Sequence, residues 1–94
     1  MERLRKKILN RLKTLKDIDG VDVEVSEEGK TIYIRHKTYH SSDFKFVWSG
    51  NHFIGYFLDA DGNISQAIIS IWKPIEAVHF VTAYSILVDL RANR

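Results

Sequence analysis

Three histidines, His36, His40 and His52, stand within a stretch of seventeen residues, and metal binding is the first chemistry that they suggest. Zinc ligands sit ~2 Å from the ion, so their donor atoms must lie within a few ångström of one another. Residues 31–39 alternate as a strand does, and along a strand four residues span ~13 Å. His36 and His40 therefore fail to share an ion unless the strand ends between them. No zinc-motif spacing is present, so we expect sheet-surface and loop histidines, no metal and no cofactor. Asp59-Ala60-Asp61-Gly62-Asn63 resembles a calcium loop in composition only. An EF-hand loop needs glycine sixth and glutamate twelfth, whereas here glycine is fourth and Ser70 stands twelfth. A turn explains the same residues. His40-Ser41-Ser42-Asp43 holds the residue types of a serine triad, without the rigid elbow and oxyanion hole that a triad requires. No catalytic residue is assigned. A small hydrolase using His40, Asp43 or His52 would need those side chains to converge in one pocket.

The pattern that fits binding is the alternating set Tyr33, Arg35, Lys37 and Tyr39, extended by Lys45 on the following strand. Aromatics interleaved with cations on a sheet stack bases and neutralise phosphates. Arg3, Lys6, Lys7, Arg11 and Lys13 precede it on a basic helix and would contact a nucleic-acid backbone in the same complex. The bland alternative is a solvated strand face.

Elements that would position these residues are readable from periodicity. Leu4, Ile8, Leu12, Leu15 and Ile18 form one apolar stripe, which predicts an amphipathic helix over 3–18, closed near Gly20. Val21-Asp22-Val23-Glu24-Val25 alternates as a half-buried strand over 21–26. Further strands are expected at 31–39, 44–49, 52–58 and 64–72. Gly29, Gly50 and Gly62 fall in the turns between them. Gly55 inside the fourth strand suggests a bulge or a close backbone approach. Pro74 suits the first turn of a last helix over 75–91. The expected architecture is one α+β domain: an N-terminal basic amphipathic helix, a five-stranded antiparallel meander and a C-terminal apolar helix packed on the sheet.

The order helix, strands, helix loosely resembles the double-stranded RNA-binding domain. In that family the second helix opens with a Gly-rich turn containing a Lys pair. Here it opens Trp72-Lys73-Pro74-Ile75-Glu76, and five strands replace three, so no residue role carries over.

Composition bounds the partners. Ninety-four residues with 45% hydrophobic content make one packed domain. Cysteine is absent, which excludes disulfides and thiolate metal sites. The basic start lacks the apolar run of a secretory signal, and no apolar run approaches the ~20 residues of a membrane span. A cytoplasmic protein without membrane attachment is the expectation. Seven of the fourteen Lys and Arg lie in residues 1–16 against Glu2 alone, a net +6; residues 17–94 hold seven against eleven acids, a net −4. Such asymmetry suits an anionic partner. The last helix is apolar nearly all round, so either the two helices cover opposite faces of the sheet or the chain forms a homodimer. The residues thus favour binding over catalysis. Nucleic acid is the first candidate partner, and a protein partner, bound by a dimeric module or inhibitor, is the alternative.

Overall fold

In the computed structural model, which describes residues 2–38 and 43–92, five strands form one antiparallel sheet in simple meander order. Helix α1 (Glu2–Leu12) runs into a 3-10 turn over Lys13–Asp17. Strands β1 (Val21–Ser26), β2 (Thr31–His36), β3 (Phe44–Trp48), β4 (Phe53–Leu58) and β5 (Ile64–Ile71) follow, then helix α2 (Pro74–Ala92). The α+β expectation holds, with shifted ends. The first helix tightens to 3-10 at Lys13, and β2 ends at His36, after which the Lys37 N–H still donates to the Gly20 carbonyl (2.8 Å).

Two of the described turns and the start of α2 have a local cause. After β1, Glu27, Glu28 and Gly29 all take positive φ, and two of these are residues that rarely do. Arg5 holds that turn from above. Its Nη1 donates to the Glu28 carbonyl (3.0 Å) and its Nη2 to the Glu2 carboxylate (2.7 Å). Asp59 closes the β4–β5 turn by accepting from the N–H groups of Asp61 and Asn63 (both 2.9 Å). That carboxylate is occupied as a turn cap, in keeping with the turn reading of this segment. Helix α2 begins with Pro74, and Glu76 Oε1 accepts from the N–H groups of Trp72 (2.9 Å) and Lys73 (2.8 Å). A glutamate reaching back in this way satisfies donors that the first turn leaves orphaned.

One face of the sheet carries the core. Ile32, Ile34, Phe44, Phe46 and Phe53 are fully buried beneath Ile8 and Leu12 of α1 and Phe80, Tyr84 and Val88 of α2. Phe80 makes edge contacts with Phe44 (5.3 Å between centroids) and Phe46 (5.1 Å). The two helices also touch each other. They therefore share one face, so of the two alternatives that the sequence left open, helices on opposite faces is not the one adopted. Gly55 is where Phe46 fits: a Cβ there would stand 2.5 Å from the Phe46 ring and 2.9 Å from Ile69. Pairing between β4 and β5 shifts register beside Gly55 and again at Leu58, and Leu58 is buried after the second shift. Helix α2 is not buried all round. Ile86 and Leu90 are each 63% exposed and Ile75 is 54% exposed.

Candidate nucleic-acid interface

Two surfaces hold the cationic residues singled out by sequence, and they lie on opposite sides of the molecule. The first is the outer face of α1. At about 100° per residue, Leu4, Ile8 and Leu12 point to the sheet while Arg3, Lys6, Lys7, Asn10 and Arg11 point away. The burial agrees: Ile8 and Leu12 are buried, and all five polar residues are exposed. Arg3, Lys6, Lys7, Arg11 and Lys13 make no ion pair among the described residues, where only Arg5–Glu2 and Arg35–Glu24 pair. Arg3 to Arg11 spans roughly 12 Å of helix axis. Lys7, Asn10 and Arg11 line a concave pocket of about 410 Å³ with Pro74 at the start of α2. Cations without carboxylate partners raise the local positive potential and attract anions.

Arg5 belongs to the same basic run and does something else. It is 5% exposed, locked between Glu2 and the Glu28 carbonyl. The guanidinium holds the Glu2 carboxyl below its ordinary value. The sequence contained a signal for this: Arg5 precedes Leu9 by four residues and Leu12 by seven, which puts it on the buried side of the helix.

The second surface is the sheet face that no described element covers. Strand register brings Glu24, Tyr33, Lys45, Tyr56 and Ala67 side by side across all five strands. Arg35 lies over the Tyr33 ring at 4.9 Å and Lys45 at 5.3 Å. Tyr33, Arg35 and Lys45 are therefore brought together as expected. Lys37 is in a bend beyond the end of β2 and does not extend their row. Tyr39, like His40, lies outside the described residues. Tyr56 was missed by sequence reasoning. It joins the face because Lys45 and Tyr56 pair across the Ser49–His52 hairpin, and a hairpin length that fixes register was the available signal.

The electrostatics of the two surfaces differ. On the open face Arg35 Nη1 is 3.2 Å from Glu24 Oε2, and Asp22 stands opposite Arg35 in register. Two acids thus offset two cations there. Passing from α1 to the open face around β1 crosses Asp22 and Glu24, a poor path for a polyanion. One bound strand does not readily use both surfaces.

His36 and His52 lie on different elements. His36 ends β2, and its Nδ1 accepts from the Thr38 N–H (3.1 Å). His52 stacks on Trp72 with centroids 3.8 Å apart and 9° between planes. Among the described residues no group of three His, Cys, Asp or Glu is placed to hold a metal ion. No helix there is long and apolar enough to cross a membrane. Neither a family model, nor a curated protein, nor a solved structure matches this chain. Its fold and its two polar surfaces are the grounds for a functional reading.

Proposed function

We propose that this is a small non-catalytic nucleic-acid-binding protein of accessory or regulatory type, with the outer face of α1 as its phosphate-contacting element. One observation carries the reading: Arg3, Lys6, Lys7 and Arg11 share one exposed helix face and pair with no carboxylate among the described residues. Duplex DNA presents one charge per ~1.7 Å of axis, so a ridge of this length meets several phosphates at once. Contacts of this kind position a protein on nucleic acid without reading its sequence. Tyr33, Arg35, Lys45 and Tyr56 add an aromatic and cationic face on the other side. It suits unstacked bases better than a duplex.

Fluorescence anisotropy with labelled single- and double-stranded oligonucleotides, at several salt concentrations, tests this. The expected result is binding that weakens steeply as salt rises. Absence of binding at low salt, or affinity indifferent to salt, rules the reading out.

A second reading rests on Ile75, Ile86 and Leu90, exposed along α2. Such a stripe suits a protein-binding module or inhibitor that acts as a homodimer. Light scattering across a dilution series decides it. A dimer lost in Ile86→Lys with Leu90→Lys supports this reading, and a monomer at every concentration removes it.

A further inference from the structure

If phosphates sit on the outer face of α1, the bases of the same strand need a surface nearby. The face of Tyr33 and Tyr56 does not serve, because it lies on the other side of the sheet from both helices. Trp72 stands much closer. It lies between the end of β5 and the start of α2, is 46% exposed, and is one of two tryptophans in the chain. The His52 imidazole lies flat against the indole, with centroids 3.8 Å apart and 9° between planes. Stacking of this kind covers one indole face and holds the plane of the ring. Glu76 Oε1 accepts from the N–H groups of both Trp72 and Lys73, which folds residues 72–74 over the first turn of α2. Pro74 lines the basic pocket together with Lys7, Asn10 and Arg11. Two residues of chain span at most roughly 7 Å, so the Trp72 backbone lies about one nucleotide from that pocket. Lys73, between them, is exposed and makes no ion pair among the described residues.

Resting on the assignment of phosphates to α1, we propose that Trp72 is the base-stacking platform of that interface, and that the strip from Arg11 to Trp72 takes single-stranded nucleic acid. Three features set the class. Lys7, Arg11 and Lys73 supply positive charge for consecutive phosphates, and the Asn10 amide adds hydrogen-bond donors. The N–H groups of Trp72 and Lys73 are already taken by Glu76, so side chains and not the helix start hold the anion. An indole accepts any base on its π face, and only an unpaired strand has a base free to turn out onto it. A duplex keeps its bases stacked inside and meets the same cations through its phosphates alone. Stacking is sequence-tolerant, so the strip selects strandedness and not sequence.

The test compares oligothymidylate, an abasic strand of equal length and a duplex, on the full chain and on Trp72→Ala, by fluorescence anisotropy at low salt. Wild type should bind oligothymidylate about tenfold more tightly than the abasic strand. Trp72→Ala should lose about that tenfold on oligothymidylate and nothing on the abasic strand or the duplex. The salt slope should not change, because the phosphate contacts remain. The wild-type chain gives a second readout that needs no variant to fold, its two indole N–H signals in NMR. The Trp72 signal should move with oligothymidylate and stay in place with the abasic strand. Equal affinity of wild type and Trp72→Ala for oligothymidylate, or an equal indole shift with the abasic strand, overturns the proposal. Salt-dependent binding that persists in that case keeps α1 as the phosphate contact and takes the base off Trp72. Absence of binding by every strand at low salt removes both.

Discussion

Replacing Gly55 by alanine puts one methyl group against the buried Phe46 ring. Gly55 does not have the positive φ that disfavours other residues. At such a position Gly→Ala by itself stabilises by roughly 0.4–1 kcal/mol, through the unfolded chain. Here the new Cβ would meet the Phe46 ring at 2.5 Å and Ile69 at 2.9 Å. Phe46 is fully buried, with Phe80 against it at 5.1 Å, so its ring has nowhere to swing. Overpacking of this kind costs about 1–3 kcal/mol. The steric term outweighs the entropic one, and a net loss of about 1–2 kcal/mol is expected. In a domain of this size each kcal/mol lowers Tm by about 4–8 °C. Urea denaturation of wild type, Gly55→Ala, Phe46→Leu and the double variant measures the effect. Phe46→Leu removes the atoms that clash, so the double variant should be less destabilised than the sum of the singles by about 1 kcal/mol. An unchanged or raised stability in Gly55→Ala, or strict additivity in the cycle, would refute this account of the β3–β4 packing.

Two further outcomes follow from buried polar groups. Arg5→Ala should destabilise by about 1–3 kcal/mol in urea denaturation, because it leaves the Glu28 carbonyl without its charged donor beneath α1. Arg11→Ala, on the exposed face, should change stability little. Tyr84 governs the alkaline limit. Its ionisation is held up to about 12 in the fold against an ordinary 10. The unfolded chain therefore ionises first, and stability falls as pH rises from about 10 toward 12. Tyr84→Phe should remove that part of the alkaline loss, read as Tm against pH. An unaltered profile would mean that the phenol is not so disposed.

Much of this fold was legible because short-range patterns and tertiary packing agree. Val21 and Val23 of β1, the Ile32 and Ile34 pair and the Phe44 and Phe46 pair each alternate with polar residues, and each packs in or against the core; Val25, in the same alternation, is exposed. Gly29, Gly50 and Gly62 mark turns that need positive φ. The side covered by each helix was not legible. Periodicity says which face of an element is apolar, and not which side of a sheet another element will take. Nor did apolar content reveal that Ile86 and Leu90 face solvent, since exposed and buried aliphatics look alike in a sequence. The candidate site was half readable. Tyr33, Arg35 and Lys45 converge because strand alternation forces them to. Lys37 falls away because β2 ends one residue before it, at His36, and no local pattern announces that end. The opposition of α1 to that face follows from the helix packing alone.

The central claim is that the outer face of α1 binds phosphates, and the salt dependence of nucleic-acid binding by Lys7→Gln with Arg11→Gln tests it most directly. If Arg3, Lys6, Lys7 and Arg11 each neutralise one phosphate, the slope of log affinity against log salt on duplex DNA is about −3.6. Affinity then falls by about 150-fold between 50 and 200 mM salt. Removing two of the four cations should halve the slope, to about −1.8. A slope in the variant equal to that of wild type would contradict the assignment and move any binding off this helix.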